Sequence, residues 1–318
     1  MSISKSSQVE IQKQPATEIN TDEINLSLGA FIRYIREADI FDLSAIMTLL
    51  LLLTYPTDFW YVVVPVRILC ILGLVYPAWQ RNYRFWLLIT SIVLAGDLYN
   101  WFTIDNHKYL LAYWCLAMCF SARSSNVKET LAVNARLLIG LCFLFATIWK
   151  TISPDFLNSI AFHHILLTDV RFANVVDLLG GLPKDLLAEN RSTLSSLVAP
   201  MSNLESVVLQ DSQTVGILAK LFTYWGGAIE ALVAIAFLFT KSQWLSKIRD
   251  LFLLTFIVTT YAIAPVMGFG WTLIIMGISQ AEPTFKNIRL YYVLAFVLLQ
   301  IYLFPWRDIV ENSLGFLS

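Results

Sequence analysis

Residues 131–151 read LAVNARLLIGLCFLFATIWKT, an apolar run in which Asn134, Arg136 and Lys150 are the strongly polar side chains. About 20 mostly apolar residues are what an α-helix needs to cross the hydrocarbon core of a bilayer. Ser153-Pro154 follows. A proline disfavours helical geometry in the residue before it, so the helix is expected to end there. The stretch therefore predicts a transmembrane helix.

The composition of the whole chain agrees with that prediction. Of its 318 residues, 57% are hydrophobic and 14% are charged, whereas soluble domains average about 25% charged residues. The net charge is −1, which provides no basic field to attract nucleic acid. A soluble globule and a nucleic-acid-binding protein are both disfavoured.

Similar apolar segments recur along the chain, and they predict an all-α, polytopic transmembrane helix bundle of eight or nine spans. Besides 131–151, the predicted segments are 40–54, 60–79, 85–102, 109–122, 221–240, 251–265, 269–278 and 290–304. We divide the chain into a polar tail and interfacial helix (1–39), five spans (40–152), an extracytoplasmic segment (153–213) and the remaining spans (214–318).

The lysines and arginines of the short connections predict the orientation, because these residues resist translocation. If the amino terminus is cytoplasmic, the opposite side carries only Lys108 in its short loops. The cytoplasmic side then carries Arg81, Arg84, Arg123, Lys128, Lys241, Lys247, Arg249, Lys286 and Arg289. The chain is therefore expected to be a multi-pass integral membrane protein whose partner is the lipid bilayer.

Five ionisable residues fall inside or at the ends of predicted spans: Arg67, Asp97, His107, Lys150 and Glu230. A charge at the centre of a membrane costs about 2.5–3.5 kcal/mol on insertion scales, so each needs a partner or a function. Arg67 and Asp97 are expected at similar depth in successive spans, which predicts a salt bridge, with substrate binding as the alternative.

Lys150 has two interpretations. It lies one residue from the outer end of its span, where a lysine can extend its ammonium to the headgroups. Alternatively it faces the bundle interior, where desolvation favours the neutral amine that acts as a general base. His107, expected at the same face, is an interfacial or capping histidine or a second catalytic group, and Glu230 must be protonated, paired or beside a polar cavity.

Other chemistries find little support in the sequence. Cys70, Cys115, Cys119 and Cys142 lie in apolar stretches without a CxxC pair, and we interpret them as small hydrophobic residues. The adjacent histidines at 163 and 164 lack suitably spaced companions, so no metal site is predicted. Nucleotide-binding loops, serine-nucleophile motifs and zinc-binding helix motifs are absent from the sequence.

Residues 136–156, RLLIGLCFLFATIWKTISPDF, resemble the signature of the vitamin K-dependent gamma-carboxylase-like membrane domain, also called the HTTM (horizontally transferred transmembrane) domain. The sequences NHKYL at 106–110 and WGGAIE at 225–230 are similar to two further steps of that family, and 269–277 less closely to a third. These matches follow the family order between about 40 and 278. The family has a glycine where Thr147 stands here, and a histidine-containing step expected near Tyr261 is missing.

By this resemblance, Lys150 takes the place of the base that deprotonates reduced vitamin K before oxygen converts it to the epoxide. His107 takes the place of a residue that supports this chemistry, and Glu230, Arg67 and Asp97 become candidates for substrate binding. A reduced quinone is the implied lipid-soluble small molecule. Because the chain to Ser318 lacks the large lumenal domain of the animal carboxylase, carboxylation of a protein substrate is not expected.

Two functions remain open from the sequence. The first is a membrane enzyme that acts on a quinol-like substrate through Lys150. The second is a non-enzymatic assembly, immunity or transport partner of another membrane protein that retains the fold. Secondary transport would predict inverted repeats with matching broken helices, which the sequence does not show.

Overall fold

The computed structural model describes residues 28–54, 59–102, 104–198, 206–239, 242–264, 266–281 and 287–303. All regular structure in these ranges is helical, which confirms the predicted all-α class. The α-helices are α1 Leu28–Glu37, α2 Ile40–Thr54, α3 Trp60–Val75, α4 Pro77–Gln80, α5 Tyr83–Tyr99, α6 Asn106–Arg123, α7 Val127–Ile152, α8 Pro154–Leu157, α9 Ile160–Thr168, α10 Ala173–Val175, α11 Lys184–Val198, α12 Gln213–Leu238, α13 Gln243–Tyr261, α14 Met267–Gln280 and α15 Ile288–Leu303.

Several predicted segments differ from the observed helices. Helices α12 and α13 each begin eight residues before the predicted starts at 221 and 251. The single helix predicted over 60–79 is wrong, because α3 ends at Val75 and α4 begins at Pro77. Tyr76 precedes that proline with a non-helical backbone (φ −117°, ψ 83°), which is the restriction that a following proline imposes. The observed helix α6 is longer than the segment predicted over 109–122. It has 18 residues and spans about 27 Å at 1.5 Å per residue.

Helices α7 and α12 form the central antiparallel pair. Each has 26 residues, and of the helices in the described ranges only these two are long and apolar enough to cross a membrane by length and composition. Such helices also occur in soluble cores. Gly140 of α7 permits the close approach, because a Cβ there would lie 2.7 Å from side-chain carbons of Leu238. Helices α2, α3 and the described part of α15 are apolar but shorter.

Helix α7 is apolar around most of its circumference. Its inward face buries Leu131, Ala135, Ile139 and Phe143 at helical spacing. Its outward face exposes large hydrophobic side chains: Leu137, Leu141, Phe145, Ile148, Trp149 and Ile152. Large contiguous apolar surfaces are rare on soluble monomers and mark contact with a membrane or a partner. The outward face of α7 is therefore expected to contact a membrane or a partner protein.

Hydroxyl side chains connect neighbouring helices within the bundle. Trp114 of α6 donates its indole N–H to Thr48 Oγ1 of α2 at 2.8 Å, and the hydroxyls of Ser44 and Ser279 lie 2.7 Å apart between α2 and α14. All four residues are completely or almost completely buried. Small hydroxyl residues that bond across helices are typical of tightly packed bundles in lipid.

The short helices between α7 and α12 pack as a layer on the first half of α12. Leu166, Phe172 and Val176 form a hydrophobic cluster with Val215 and Phe222. Residues 206–212 lead from this layer into α12. Their backbone is held through Asn190, which accepts a hydrogen bond from Gln210 N and donates one to Gln210 O.

The structure changes the interpretation of two charges used for the orientation. Arg249 was expected in a loop, but it lies within α13 with 2% of its surface exposed. Lys108 was also expected in a loop, but it lies in the first turn of α6 and is buried. The tail before residue 28, Lys241 and Lys286 lie outside the described residues. The number of spans and the orientation stay predictions.

Gly277 of α14 supports a close contact with Tyr292 of α15. A Cβ at position 277 would lie 2.4 Å from two carbons of the Tyr292 ring, which is too close for real atoms. We expect Gly277→Ala to lower the free energy of unfolding by about 1–3 kcal/mol, the usual cost of overpacking.

Thermal unfolding in detergent measures the effect of Gly277→Ala. The matched control is Gly216→Ala in α12, where a Cβ meets no atom within 4 Å. Alanine is the better helix former by about 1 kcal/mol, so the control is expected to unfold at the same or a higher temperature. Equal behaviour of the two variants would show that Tyr292 moves aside at no cost.

Candidate functional site

Lys150 and Glu230 form an ion pair that joins the last turn of α7 to the middle of α12. Their side chains are 21% and 11% exposed, respectively, so the pair is largely removed from solvent. The pairing follows from the antiparallel register of the two helices, since Gly140 lies against Leu238 further along the same interface. The Lys150 ammonium also lies 5.0 Å from the centre of the Phe156 ring.

A cavity of about 80 Å³ opens beside this ion pair. Lys150 and Glu230 are part of its wall, and aromatic rings of α9, α12 and α13 form much of the remainder. Trp225 and Thr259 contribute polar groups, with the indole N–H of Trp225 donating to Thr259 Oγ1 at 3.2 Å. A mostly apolar cavity with a few convergent polar groups is the usual form of a small-molecule site.

The two carboxylate oxygens of Glu230 have different surroundings. Oε1 accepts the hydrogen bond from Lys150. Oε2 is buried and has no hydrogen-bond donor within the described part of the chain. A buried acceptor without a donor is costly in a native protein. It is the group of this site that a bound hydroxyl could satisfy.

His107, which the sequence places at the same membrane face as Lys150, does not line this cavity. Its ring lies 6.4 Å from that of Phe269, which lies 6.2 Å from that of Phe143, and Phe143 in turn contacts Phe256 of the cavity wall. Its Nε2 is 4.0 Å from Asp105 Oδ2.

Arg67 and Asp97 do not form the predicted salt bridge. Arg67 is exposed on α3, whereas Asp97 is 4% exposed on α5. The close contact of Gly96 with Val62 fixes the register of these antiparallel helices, and it places Arg67 level with residue 91. The two charges are therefore about 9 Å apart along the helix axis, at 1.5 Å per residue. The prediction failed because depth was counted from approximate span ends.

This register predicts that Arg67 and Asp97 contribute independently to stability. The fall in melting temperature caused by Asp97→Asn should be the same in the wild type and in an Arg67→Met background. Residues without shared partners usually show additive changes within about 0.5 kcal/mol. The melting temperatures of the wild type, the two single variants and the double variant measure this. A clearly smaller effect of Asp97→Asn in the Arg67→Met background would support the salt bridge that the sequence predicts.

The sequence interpretation missed a buried polar cluster between α13, α14 and α15. Asp250 Oδ1 accepts hydrogen bonds from Tyr292 Oη at 2.7 Å and from Gln280 Nε2 at 2.5 Å. Arg249, equally buried, lies 3.5 Å from the Gln280 carbonyl oxygen. The signal in the sequence is Asp250, which follows Arg249, a residue used above as a loop charge, at the start of an apolar run.

A metal site is not built by the described residues, in which no three His, Cys, Asp or Glu side chains converge. His163 lies beside Asp211, with Nε2 and Oδ1 2.9 Å apart, at the surface of the short-helix layer. Cys70, Cys115 and Cys119 are buried and Cys142 is half-buried, all as free thiols.

Comparison of the chain with protein-family models, with curated proteins and with solved structures finds no match. The resemblance to the vitamin K-dependent gamma-carboxylase-like domain therefore stays a prediction from the sequence.

Proposed function

We propose that this chain is a multi-pass integral membrane protein of the gamma-carboxylase-like type, in which the Lys150–Glu230 pair binds and deprotonates a quinol-like, lipid-soluble substrate. The membrane location is supported by the apolar outward face of α7 and by the length of α7 and α12. The single observation that carries the catalytic part is the ion pair at the wall of an aromatic cavity.

The pair supplies the proton chemistry that a base needs. In water a lysine beside a carboxylate remains an ammonium, but burial penalises the charged pair relative to the neutral amine and carboxylic acid. The proposed reaction begins with transfer of one proton from Lys150 to Glu230 in the cavity. The amine that results can remove the proton of a phenolic hydroxyl, and the ammonium then stabilises the phenolate that forms.

The cavity selects for a small planar group. Its volume of about 80 Å³ and its aromatic wall suit the edge of one ring better than a branched or strongly polar molecule. In the resting ion pair, a substrate hydroxyl that donates to Glu230 Oε2 would satisfy the buried acceptor; once Lys150 is the neutral amine, the same hydroxyl donates to it instead. Arg67, Asp97 and His107 lie away from this cavity and have no part in the proposed binding step.

The ion pair also supports a second function. It joins α7 to α12, so it could serve only to lock the two longest helices of a non-enzymatic membrane partner. The small size of the cavity favours this alternative. A variant that keeps the ion pair but removes the base distinguishes the two functions. It loses activity if Lys150 is catalytic and keeps cellular function if the pair only locks the helices.

The membrane location and orientation are tested by cysteine labelling in intact cells, using a variant without its four native cysteines. Ser196 is exposed on α11 in the segment expected outside, and Ser125 is exposed in a turn expected in the cytoplasm. We expect an impermeant maleimide to label Ser196→Cys but not Ser125→Cys before lysis. The reverse pattern would invert the orientation, and release of the protein by alkaline carbonate would reject the membrane location.

A further inference from the structure

A groove separate from the Lys150 cavity runs along α2 on the side that faces α1, α14 and α15. Its volume is about 530 Å³, within the range of about 300–1,000 Å³ that holds small-molecule ligands. Apolar side chains such as Met47, Leu50, Ile275 and Phe296 line it. It is much larger than the cavity beside the ion pair.

A second recess of about 450 Å³ shares part of its wall with this groove. The two cavities share Tyr34 and Ile46 in their walls, and the recess alone contains the charged pair Asp42 and Arg81. The combined space therefore changes from apolar to charged along its length. That order matches an amphiphile, with its chain in the groove and its headgroup in the recess.

The recess wall itself carries one acid, Asp42, and one base, Arg81. Arg81 donates to Asp42 Oδ2 at 2.6 Å and lies 3.6 Å from Asp39, which in turn lies 3.3 Å from Lys128. Burial raises the pKa of the Asp39 carboxyl, but hydrogen bonds from Lys128 and from backbone N–H groups outweigh this and hold that pKa below its usual value. Asp39 is therefore a carboxylate near neutral pH.

We infer that this groove and recess hold one zwitterionic phospholipid of the leaflet at the α1 side, with its ammonium near Asp42 and its phosphate near Arg81. One acid beside one base in the recess wall complements a zwitterion, whereas sites for anionic lipids are built from an excess of Lys and Arg. The Arg81–Asp42 contact is well exposed, so it contributes little by itself and can exchange for contacts with a headgroup. The inference rests on the membrane location proposed above.

Native mass spectrometry tests the inference on full-length protein that has been reconstituted in vesicles of equal phosphatidylethanolamine and phosphatidylglycerol and then extracted in mild detergent. We expect one phosphatidylethanolamine to be retained per chain. Ile46→Trp, which enlarges a side chain that lines both cavities, should lower that retention about tenfold, since displacing about two methylene groups of the lipid costs that much.

Leu88→Trp is the matched control, because Leu88 is exposed on α5 and lines neither cavity. It should retain lipid as the wild type does. Arg81→Gln, at an exposed position that does not endanger folding, should reduce the preference for phosphatidylethanolamine. Equal retention in Ile46→Trp and Leu88→Trp, no retained lipid in the wild type, or a retained molecule without a zwitterionic headgroup would overturn the inference.

The same sample separates this inference from the proposed function. Release of the chain from vesicles by alkaline carbonate would reject the membrane location on which both depend. A chain that resists carbonate but retains no phospholipid would reject the lipid site alone. Turnover at Lys150 is expected to be the same in Ile46→Trp and in the wild type.

Discussion

Lys150→Arg is expected to lower the turnover of a reduced quinone by at least about 100-fold, which is the smaller end of what a positioned general base contributes. Arginine keeps the positive charge and can still pair with Glu230, so the melting temperature should change little. Its guanidinium does not give up a proton near neutral pH, so the base is lost. The measurement is oxygen-dependent consumption of a reduced quinone by purified protein, beside its thermal unfolding.

Lys220→Arg is the matched control for this variant, since Lys220 is an exposed lysine of α12 outside the cavity. It should behave as the wild type in both measurements. A wild type without quinol turnover, together with a Lys150→Arg variant that is equally stable and equally functional in cells, would reject the enzyme and leave the non-enzymatic partner.

A second pair of variants separates catalysis from helix locking. Glu230→Gln leaves the Lys150 ammonium without its carboxylate and should lower both stability and turnover, because an unpaired buried charge is costly. Adding Lys150→Met removes that charge and should recover much of the melting temperature. If the pair is catalytic, turnover stays lost in the double variant, whereas a purely structural lock would recover cellular function with stability.

The largest effect on stability is expected from Asp250→Ala. This change removes the acceptor of the Tyr292 hydroxyl and of the Gln280 amide, and it takes a carboxylate out of a buried cluster that also contains Arg249. Breaking such a buried set usually costs about 3–5 kcal/mol. Thermal unfolding in detergent should show a loss well beyond that of Tyr292→Phe, which removes one hydrogen bond to a charged group, worth about 1.5–3 kcal/mol.

Asp177→Ala provides the reference for this measurement, since Asp177 is exposed in the short-helix layer. It should change the melting temperature little. If Asp250→Ala were no more destabilising than Asp177→Ala, the buried cluster would make no net contribution to folding.

The helices could be placed from the sequence because each is a continuous apolar run ended by turn residues. Helix α2 begins and ends at the predicted residues, and α14 at Met267–Gln280 extends the apolar piece predicted over 269–278. The break at Tyr76-Pro77 was visible in the sequence as a proline but was placed inside a span. Whether a segment is helical depends mainly on its own residues, so local sequence patterns were sufficient to predict the helices.

Contacts between helices could not be obtained in the same way. The Arg67–Asp97 prediction needed a register accurate to about one turn, which is set by the contact of Gly96 with Val62 and not by span ends. Lys150 and Glu230 do meet, and the sequence had only suggested a shared face for them. The Asp250 cluster was missed because charges near the ends of apolar runs were assumed to lie in loops.

The contact between Gly277 and Tyr292 also limits which substitutions this sequence can accept during evolution. A larger residue becomes acceptable at 277 only after 292 has become smaller, because the ring occupies the space of the missing Cβ. A smaller residue at 292 in turn removes the phenol that donates to Asp250. Positions 277, 292 and 250 are therefore expected to change together in descendants of this chain, with single replacements selected against.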